Sequence, residues 1–338
     1  MDVKDSNETA RRGVLVANLG TPESPDPRGV AKFLRAFLSD PRVVDLPRWL
    51  WLPLLNLVII PLRCRRSAAA YRSIWLPEGS PLLVLTRRLA QRLATRMHGV
   101  CKITTGMRYG EPSIRSALED LRQGGVNSVV VLPLYPQFSG TTTSSIYDAV
   151  EQALQDMNWH PELRRVNEYH LHPAWVAAVA TSIVDFRKKS GAADKLVFSL
   201  HGIPQRYVAN GDPYEQHCRA SVAAIARAAQ LEEDEWLLTF QSRVGREPWL
   251  MPYTDLTLKQ LAQQGVRHVQ VVCPGFAVDC LETLEEIAMQ NHENFIAAGG
   301  ERLEYIPALN DSDGHVEALS KVLTQPPGPI NAGPTNIS

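Results

Sequence analysis

Short, wholly apolar runs alternate along this chain with amphipathic stretches of helical length. RRGVLVANLGTP (11–22) reads as a buried strand closed by a Gly-Thr-Pro turn. Apolar runs at Val100–Met107, Ser128–Leu134 and Leu163–Tyr169 predict further strands, and 3.6-residue periodicity predicts helices over Leu82–Met97, Ser113–Gln123 and Tyr147–Met157. Strands separated by helices in this order argue a parallel sheet covered on both faces. Past Ser190 the pattern repeats. GVNSVVVLP (125–133) corresponds to GVRHVQVVC (265–273), GMRYGEP (106–112) to QSRVGREP (241–248), and GVLVANLGTP (13–22) to KLVFSLHGIP (195–204). LRRVNEYH (163–170) and ERLEYIP (301–307) close the two series as edge strands. The expectation is an α/β chain of two similar halves, 13–172 and 173–325, each with a four-stranded sheet and a cleft between them. A polar arm (1–12) precedes them, and a Pro/Gly/Asn-rich tail (326–338) with the composition of disorder comes after.

One stretch breaks the alternation. LPRWLWLPLLNLVIIPL (46–62) is strongly apolar, yet too short for a membrane span and interrupted by Pro47, Pro53, Asn56 and Pro61. Arg63, Arg65 and Arg66 come directly after it. Two readings stand: a buried helix or hairpin, or an exposed lip that admits a flat apolar ligand and rests on a membrane surface.

Composition narrows the function classes. A net charge of −1 over 338 residues gives no support for nucleic-acid binding. The N-terminus lacks the apolar core of a signal peptide, so a cytoplasmic location is expected. Cys64, Cys101, Cys218, Cys273 and Cys280 form no CxxC pair and are expected as free thiols. There is no GxxxxGK[ST] loop and no GxGxxG after the first strand, which argues against nucleotide-driven and dinucleotide chemistry.

The candidate chemistry gathers at strand ends of the second half. VRHVQVVCPGFAVDCLETLEEIAMQNHE (266–293) begins as a strand, breaks at Pro274-Gly275 and resumes as a helix from about Asp279. There Glu282 and Glu286 stand four residues apart on one face, with Gln290 continuing the line. SLHGIP places His201 at the end of the corresponding first strand, facing the same cleft. One imidazole with carboxylates is an incomplete, borderline-hard ligand set that suits Fe(II) and can release it. Taken alone, such acids are more often a solvated helix face, and such a histidine is more often a structural hydrogen-bonder. Arg108 and Tyr109, the hydroxyl run LYPQFSGTTTSS (134–145) and QSRVGREPWLMPYTD (241–255), which holds Trp249, fall at the cleft mouth. The hydroxyl run fits a helix cap equally well. Trp249 can pack on a flat ring, and Arg63, Arg65 and Arg66 can clasp carboxylates on its rim.

SLHGIPQRY with GDPY (199–214), FQSRVGREPWLMPYTD (240–255), CPGFAVDCLETLEEI (273–287), LPLYPQFSGTTTSS (132–145) and GSPL (79–82) together resemble ferrochelatase, over about residues 13 to 310. The resemblance implies two Rossmann-like, chelatase-type domains, with a C-terminal helix crossing back to the first. It implies insertion of Fe(II) into protoporphyrin IX, iron being a substrate and not a cofactor. His201 matches the histidine that contacts the metal and takes pyrrole protons; Glu282 matches its paired carboxylate, and Glu286 the next member of an acidic file. Arg63, Tyr71, Ser80, Arg108 and Trp249 fall at porphyrin-contacting positions, with Tyr109 beside Arg108. Gly140 stands where some relatives have a cysteine, and the tail has none, so no iron–sulfur cluster is expected. Cys280 replaces a histidine of animal members. The tail lacks the extension that makes animal forms dimers, so a monomer is expected. Coproporphyrin or another tetrapyrrole as the substrate, and a non-catalytic tetrapyrrole or metal carrier, are the alternatives.

Overall fold

The computed structural model describes residues 11–245 and 247–325; the sequence's arm and tail lie largely or wholly outside that range. In the first half the chain runs β1 (Arg12–Gly20), α1 (Pro27–Leu38), α2 (Arg48–Leu54), α3 (Ile60–Ile74), α4 (Pro81–Arg96), β2 (Lys102–Tyr109), α5 (Ile114–Gln123), β3 (Ser128–Pro133), α6 (Ser145–Asp156) and β4 (Glu162–Arg165). The second half runs α7 (Pro173–Ser190), β5 (Lys195–His201), α8 (Gln205–Ala209), α9 (Tyr214–Ala228), β6 (Trp236–Gln241), α10 (Thr254–Gln263), β7 (His268–Val272), α11 (His292–Ala297), β8 (Arg302–Ile306) and α12 (Asp313–Thr324). The sheets have the orders β2-β1-β3-β4 and β6-β5-β7-β8, every pair parallel. They are the same arrangement twice, which accounts for the sequence echo.

The central strands are apolar on both faces because helices cover both: Val14 to Ala17, Val129, Val131, Leu132, Val197, Phe198 and Leu200 are all buried. Side-chain caps start some of the helices. Asp26 accepts from the amides of Arg28 and Gly29 ahead of α1, and Ser113 from Ser116 ahead of α5. Gly20 ends β1 at φ +106°, where a Cβ would sit 1.7 Å from the Tyr109 carbonyl oxygen; only glycine fits that close approach.

One apolar core runs through both halves, from Val14 and Leu132 through Trp175 and Ile183 of α7 to Phe198, Leu200 and Leu319. Each such side chain contributes about 1.5–3 kcal/mol by leaving water. The C-terminal α12 packs on α7 and crosses back to α4. Arg96 reaches Ser320 and Glu317, and Arg164 donates to the free carbonyls of Val322 and Leu323 at its end. Further polar ties cross between the halves: Gln137 to Ser221 at 3.0 Å, Gly140 N–H to Asp212 at 2.8 Å, and Arg206 to Asp45 at 2.9 Å.

The apolar stretch resolves in favour of exposure. It is a helix, α2 running through a π-helical turn (Leu55–Ile59) into α3, with Pro53 inside and Pro61 at the start of α3. Leu55 and Ile60 are buried, while Trp49 is 80% exposed, Leu57 77% and Leu62 74%. No helix among the described residues is long and apolar enough to cross a membrane.

The edge strand expected over Leu163–Tyr169 ends at Arg165. Val166 N–H still bonds the Val131 carbonyl, but Tyr169 N–H turns to Pro136, so the chain peels away from the sheet toward α9.

Candidate functional site

β5 and β7 are neighbours at the centre of the second sheet, so their carboxyl ends open on one cleft. β5 delivers His201, half-buried at its last residue. Its Nδ1 lies 2.7 Å from the Gly202 carbonyl oxygen. A carbonyl only accepts, so Nδ1 carries the proton and the lone pair is on Nε2. The backbone around it is held firmly: Tyr214 OH donates to the His201 carbonyl at 2.9 Å, and Gly202 N–H to that of Gln241 at 2.8 Å. The Trp249 and Phe276 rings flank the imidazole with centroids 6.5 and 6.4 Å away.

Beyond β7 the turn is built on Asp279. Its buried carboxylate accepts from Tyr305 OH at 2.6 Å, Asn310 Nδ2 at 2.7 Å and Thr283 Oγ1 at 3.0 Å. The acidic segment after it is a ten-residue π-helix, Glu282–Asn291, not the α-helix from Asp279 that the sequence suggested. Such wide turns are uncommon and concentrate at functional sites. The spacing changes which side chains meet. Gln290 bonds Glu285, five residues back, at 2.7 and 2.9 Å; the expected file Glu282–Glu286–Gln290 is therefore not continued by Gln290.

Glu286 receives the Ser242 amide at 2.9 Å and the Ser242 hydroxyl. Ser242 adopts φ +66°, a strained conformation for a residue with a side chain, and that turn aims its donors at the carboxylate. Burial raises the pKa of Glu286 and neighbouring Glu282 adds to the rise, against the Ser242 bonds and the nearby His201, which lower it. His201, Glu282 and Glu286 thus share one electrostatic neighbourhood. Gln241 fixes the main chain there, donating to the Glu282 carbonyl at 2.8 Å while accepting from Ser199 Oγ at 2.7 Å. Glu282 also looks across to the first half, where burial first and its charge second push Tyr71 well up; it acts in the same sense on Tyr135 and Cys280, both raised chiefly by burial.

The remaining residues singled out from sequence separate into two groups. Arg63 stands exposed on α3 beside the lip, and Trp249 is half-buried beside His201. Trp249 Nε1 is buried without a hydrogen-bond partner. Tyr71, on the same helix as Arg63, is buried edge-on to Trp75, and Ser80 is buried, accepting from Thr21 Oγ1 at 2.7 Å. Arg108 and Tyr109 are not free at a mouth: both reach Asp40 Oδ2 at 2.6 Å, and Arg108 Nε donates to Ser145 at 2.8 Å. The guanidinium lies 4.7 Å over the Tyr109 ring. In the hydroxyl run, Ser139 caps a π-helical turn (Gly140–Ser144) leading into α6, as the capping reading required.

Four participants were given no role of their own by the sequence reading, although Gln241 and Ser242 lie in the run it placed at the cleft mouth. Ser242 and Gln241 lie inside FQSR, Asp212 inside GDPY and Phe276 inside PGF; short polar signals within conspicuous motifs were their only trace. Asp212 accepts from Ser139 Oγ at 2.9 Å as well as the Gly140 amide, tying the hydroxyl turn of one half to the other.

Chemically, the arrangement offers one imidazole nitrogen, carboxylates on a widened helix, and aromatic walls. That donor set can receive a divalent metal without caging it, and can accept protons close by.

Known proteins with the same fold include SirB from Bacillus subtilis with Fe3+ (TM-score 0.52, 12% identity, 93% of this chain and 94% of that one). CbiX, described as the terminal enzyme for biosynthesis of sirohaem in denitrifying bacteria, aligns with TM-score 0.50 and 14% identity over 93% and 98%. These identities speak for fold alone. In sequence, the Methylococcus capsulatus ferrochelatase is 52% identical over 93% of this chain and 96% of the relative. The Pectobacterium atrosepticum ferrochelatase is 50% identical over 92% and 97%. A family model described as Ferrochelatase matches residues 11–326. The chain belongs to the ferrochelatase family.

Proposed function

We propose that this chain inserts Fe(II) into protoporphyrin IX with release of two protons, the last step of haem synthesis. Membership of the ferrochelatase family carries the coarser statement, iron into a porphyrin; the identity of the ring and the residue roles are our reading. The observation that carries it is His201: an imidazole with its proton fixed on Nδ1 by Gly202, leaving Nε2 open beside the acidic π-helix.

A free-base porphyrin holds two pyrrole protons in a flat ring, and flatness hides the nitrogen lone pairs from a metal. His201 Nε2 accepts a pyrrole proton, a general-base contribution of about 10²–10⁴-fold. Glu282 and His201 present the arriving Fe(II), and Nε2 is free to take the proton once the metal has passed toward the ring. Glu286, whose raised pKa brings its proton exchange toward neutral pH, passes protons on toward Ser242 and solvent. Trp249 and Phe276 pack on the ring, and Arg63 attracts a propionate at the rim. Tyr71, Ser80, Arg108 and Tyr109, with their polar atoms largely engaged, shape the facing wall. Apolar walls favour vinyl edges over additional propionates, hence protoporphyrin over coproporphyrin. The exposed apolar helix around Trp49 and Leu57, with Arg48, Arg63, Arg65 and Arg66 near it, rests on an anionic membrane surface and takes up the apolar substrate there. The enzyme acts as a monomer without an iron–sulfur cluster.

The test is anaerobic insertion followed by the Soret shift, with protoporphyrin IX and coproporphyrin competing. Turnover favouring protoporphyrin and collapsing in Glu282→Gln is expected. Preference for coproporphyrin would overturn the ring assignment, and full activity of the variant would overturn the role of Glu282.

A further inference from the structure

Where the chain leaves β4, it carries Glu168 and His170 to the first turn of α9, where His217 stands. The two imidazole rings stack with centroids 4.1 Å apart and planes 17° from parallel. Glu168 Oε2 lies 3.1 Å from His217 Nε2 and 3.7 Å from His170 Nδ1. All three ligating atoms lie within 4.8 Å of one another. His170 is 4% exposed, and its Nδ1 is buried with no hydrogen-bond partner while turned toward this pair. A polar atom so placed has lost its hydration with nothing in return.

We propose that Glu168, His170 and His217 form a second metal site, for a divalent first-row transition ion, at the junction of the two halves. Two imidazoles, one carboxylate and a water are the donor set of zinc-type centres. Metal–ligand bonds of about 2.0–2.1 Å at tetrahedral angles put donor atoms about 3.3 Å apart; the separations of 3.1 and 3.7 Å bracket that value. The rest of the adjustment falls on the Glu168 side chain, which is 43% exposed, and on rotation of the His217 ring. Without metal, His217 Nδ1 accepts the Phe138 amide at 3.3 Å, so its proton sits on Nε2 and faces Glu168. Metal at Nε2 moves that proton to Nδ1, so the long Phe138 contact is given up and the His217 ring turns out of its stack on His170 to aim its lone pair at the ion. The ion joins the β4–α7 segment to α9. Tyr214, three residues before His217 on α9, holds the His201 carbonyl, so the site fastens the helix that positions the reactive histidine.

The test uses the full chain, stripped of metal and without porphyrin, titrated with Zn2+ in competition with a chromophoric chelator and with Co2+ by visible spectroscopy. Wild type is expected to bind one equivalent more than Glu168→Gln or His217→Gln, or to bind it at least tenfold more tightly. A tetrahedral Co2+ spectrum should persist in Glu282→Gln. Unfolding curves taken without metal, unchanged in Glu168→Gln, separate lost ligation from lost folding. Identical stoichiometry and affinity in wild type and both variants would overturn the site, as would loss of all bound metal in Glu282→Gln.

Discussion

The two halves share strand order and register but differ in the residues that leave their equivalent strands. β1 ends on Gly20, whereas β5 ends on His201. After β3 a π-helical turn carries hydroxyls (Gly140–Ser144); after β7 a π-helix carries carboxylates (Glu282–Asn291). The first half places its long insertion between β1 and β2 and builds the exposed apolar helix there, whereas the second keeps that connection short. One scaffold thus serves twice. The first copy supplies apolar surface and a neutralised polar cluster around Asp40; the second supplies a metal-competent imidazole and groups able to exchange protons. The two copies differ at their strand ends and agree in their sheets.

The largest test of that division is His201→Ala. Insertion should fall by about 10²–10⁴-fold while porphyrin binding, followed by fluorescence quenching, stays near wild type. Turnover within a few-fold of wild type would place the proton acceptor elsewhere. Asp40→Asn probes the first half. It removes a buried charge that compensates Arg108 and accepts from Tyr109 and Ser145, so a loss of about 1–3 kcal/mol in chemical denaturation is expected. A variant of undiminished stability but lost turnover would make this cluster chemical and erase the contrast.

On the lip, Trp49→Asp with Leu57→Asp should weaken co-sedimentation with anionic vesicles at least about tenfold, since each apolar side chain contributes about 1.5–3 kcal/mol when buried. Insertion measured without vesicles should hardly change. The smallest effect concerns Glu286. Its folded pKa is raised, so the native state holds that proton more tightly than the unfolded chain does. The resulting stability is present at and below the ordinary carboxylate range and is lost as pH rises through the raised value. Across pH 4 to 8, wild type should therefore lose stability relative to Glu286→Gln in thermal unfolding, and parallel curves would show that no such shift exists.

Much of this was legible in order along the chain. The repeat at 125–133 and 265–273 gave paired sheets because strands buried on both faces must be apolar throughout, a pattern that survives divergence. His201, Glu282 and Glu286 were visible because they sit at strand ends and helix starts that the pattern locates. Less visible was the partner of each. Arg108 and Tyr109 look alike as mouth residues or as a buried cluster until Asp40, far away in sequence, arrives against them. Gln290 continues from Glu286 in any α-helical reading, and only the wider winding gives it to Glu285.

By itself, then, the sequence determined the α/β repeat and the chemical identity of the groups at the strand ends, since both depend on local periodicity and residue type, while its motifs carried the family resemblance. Tertiary structure alone decided that the apolar helix is exposed, that the acidic helix is π-wound, that Ser242 turns to hold Glu286, and that Glu168 and His170 meet His217. Each of these depends on which distant side chains compete for the same hydrogen bond or the same buried surface, and that competition exists only once the chain has closed on itself.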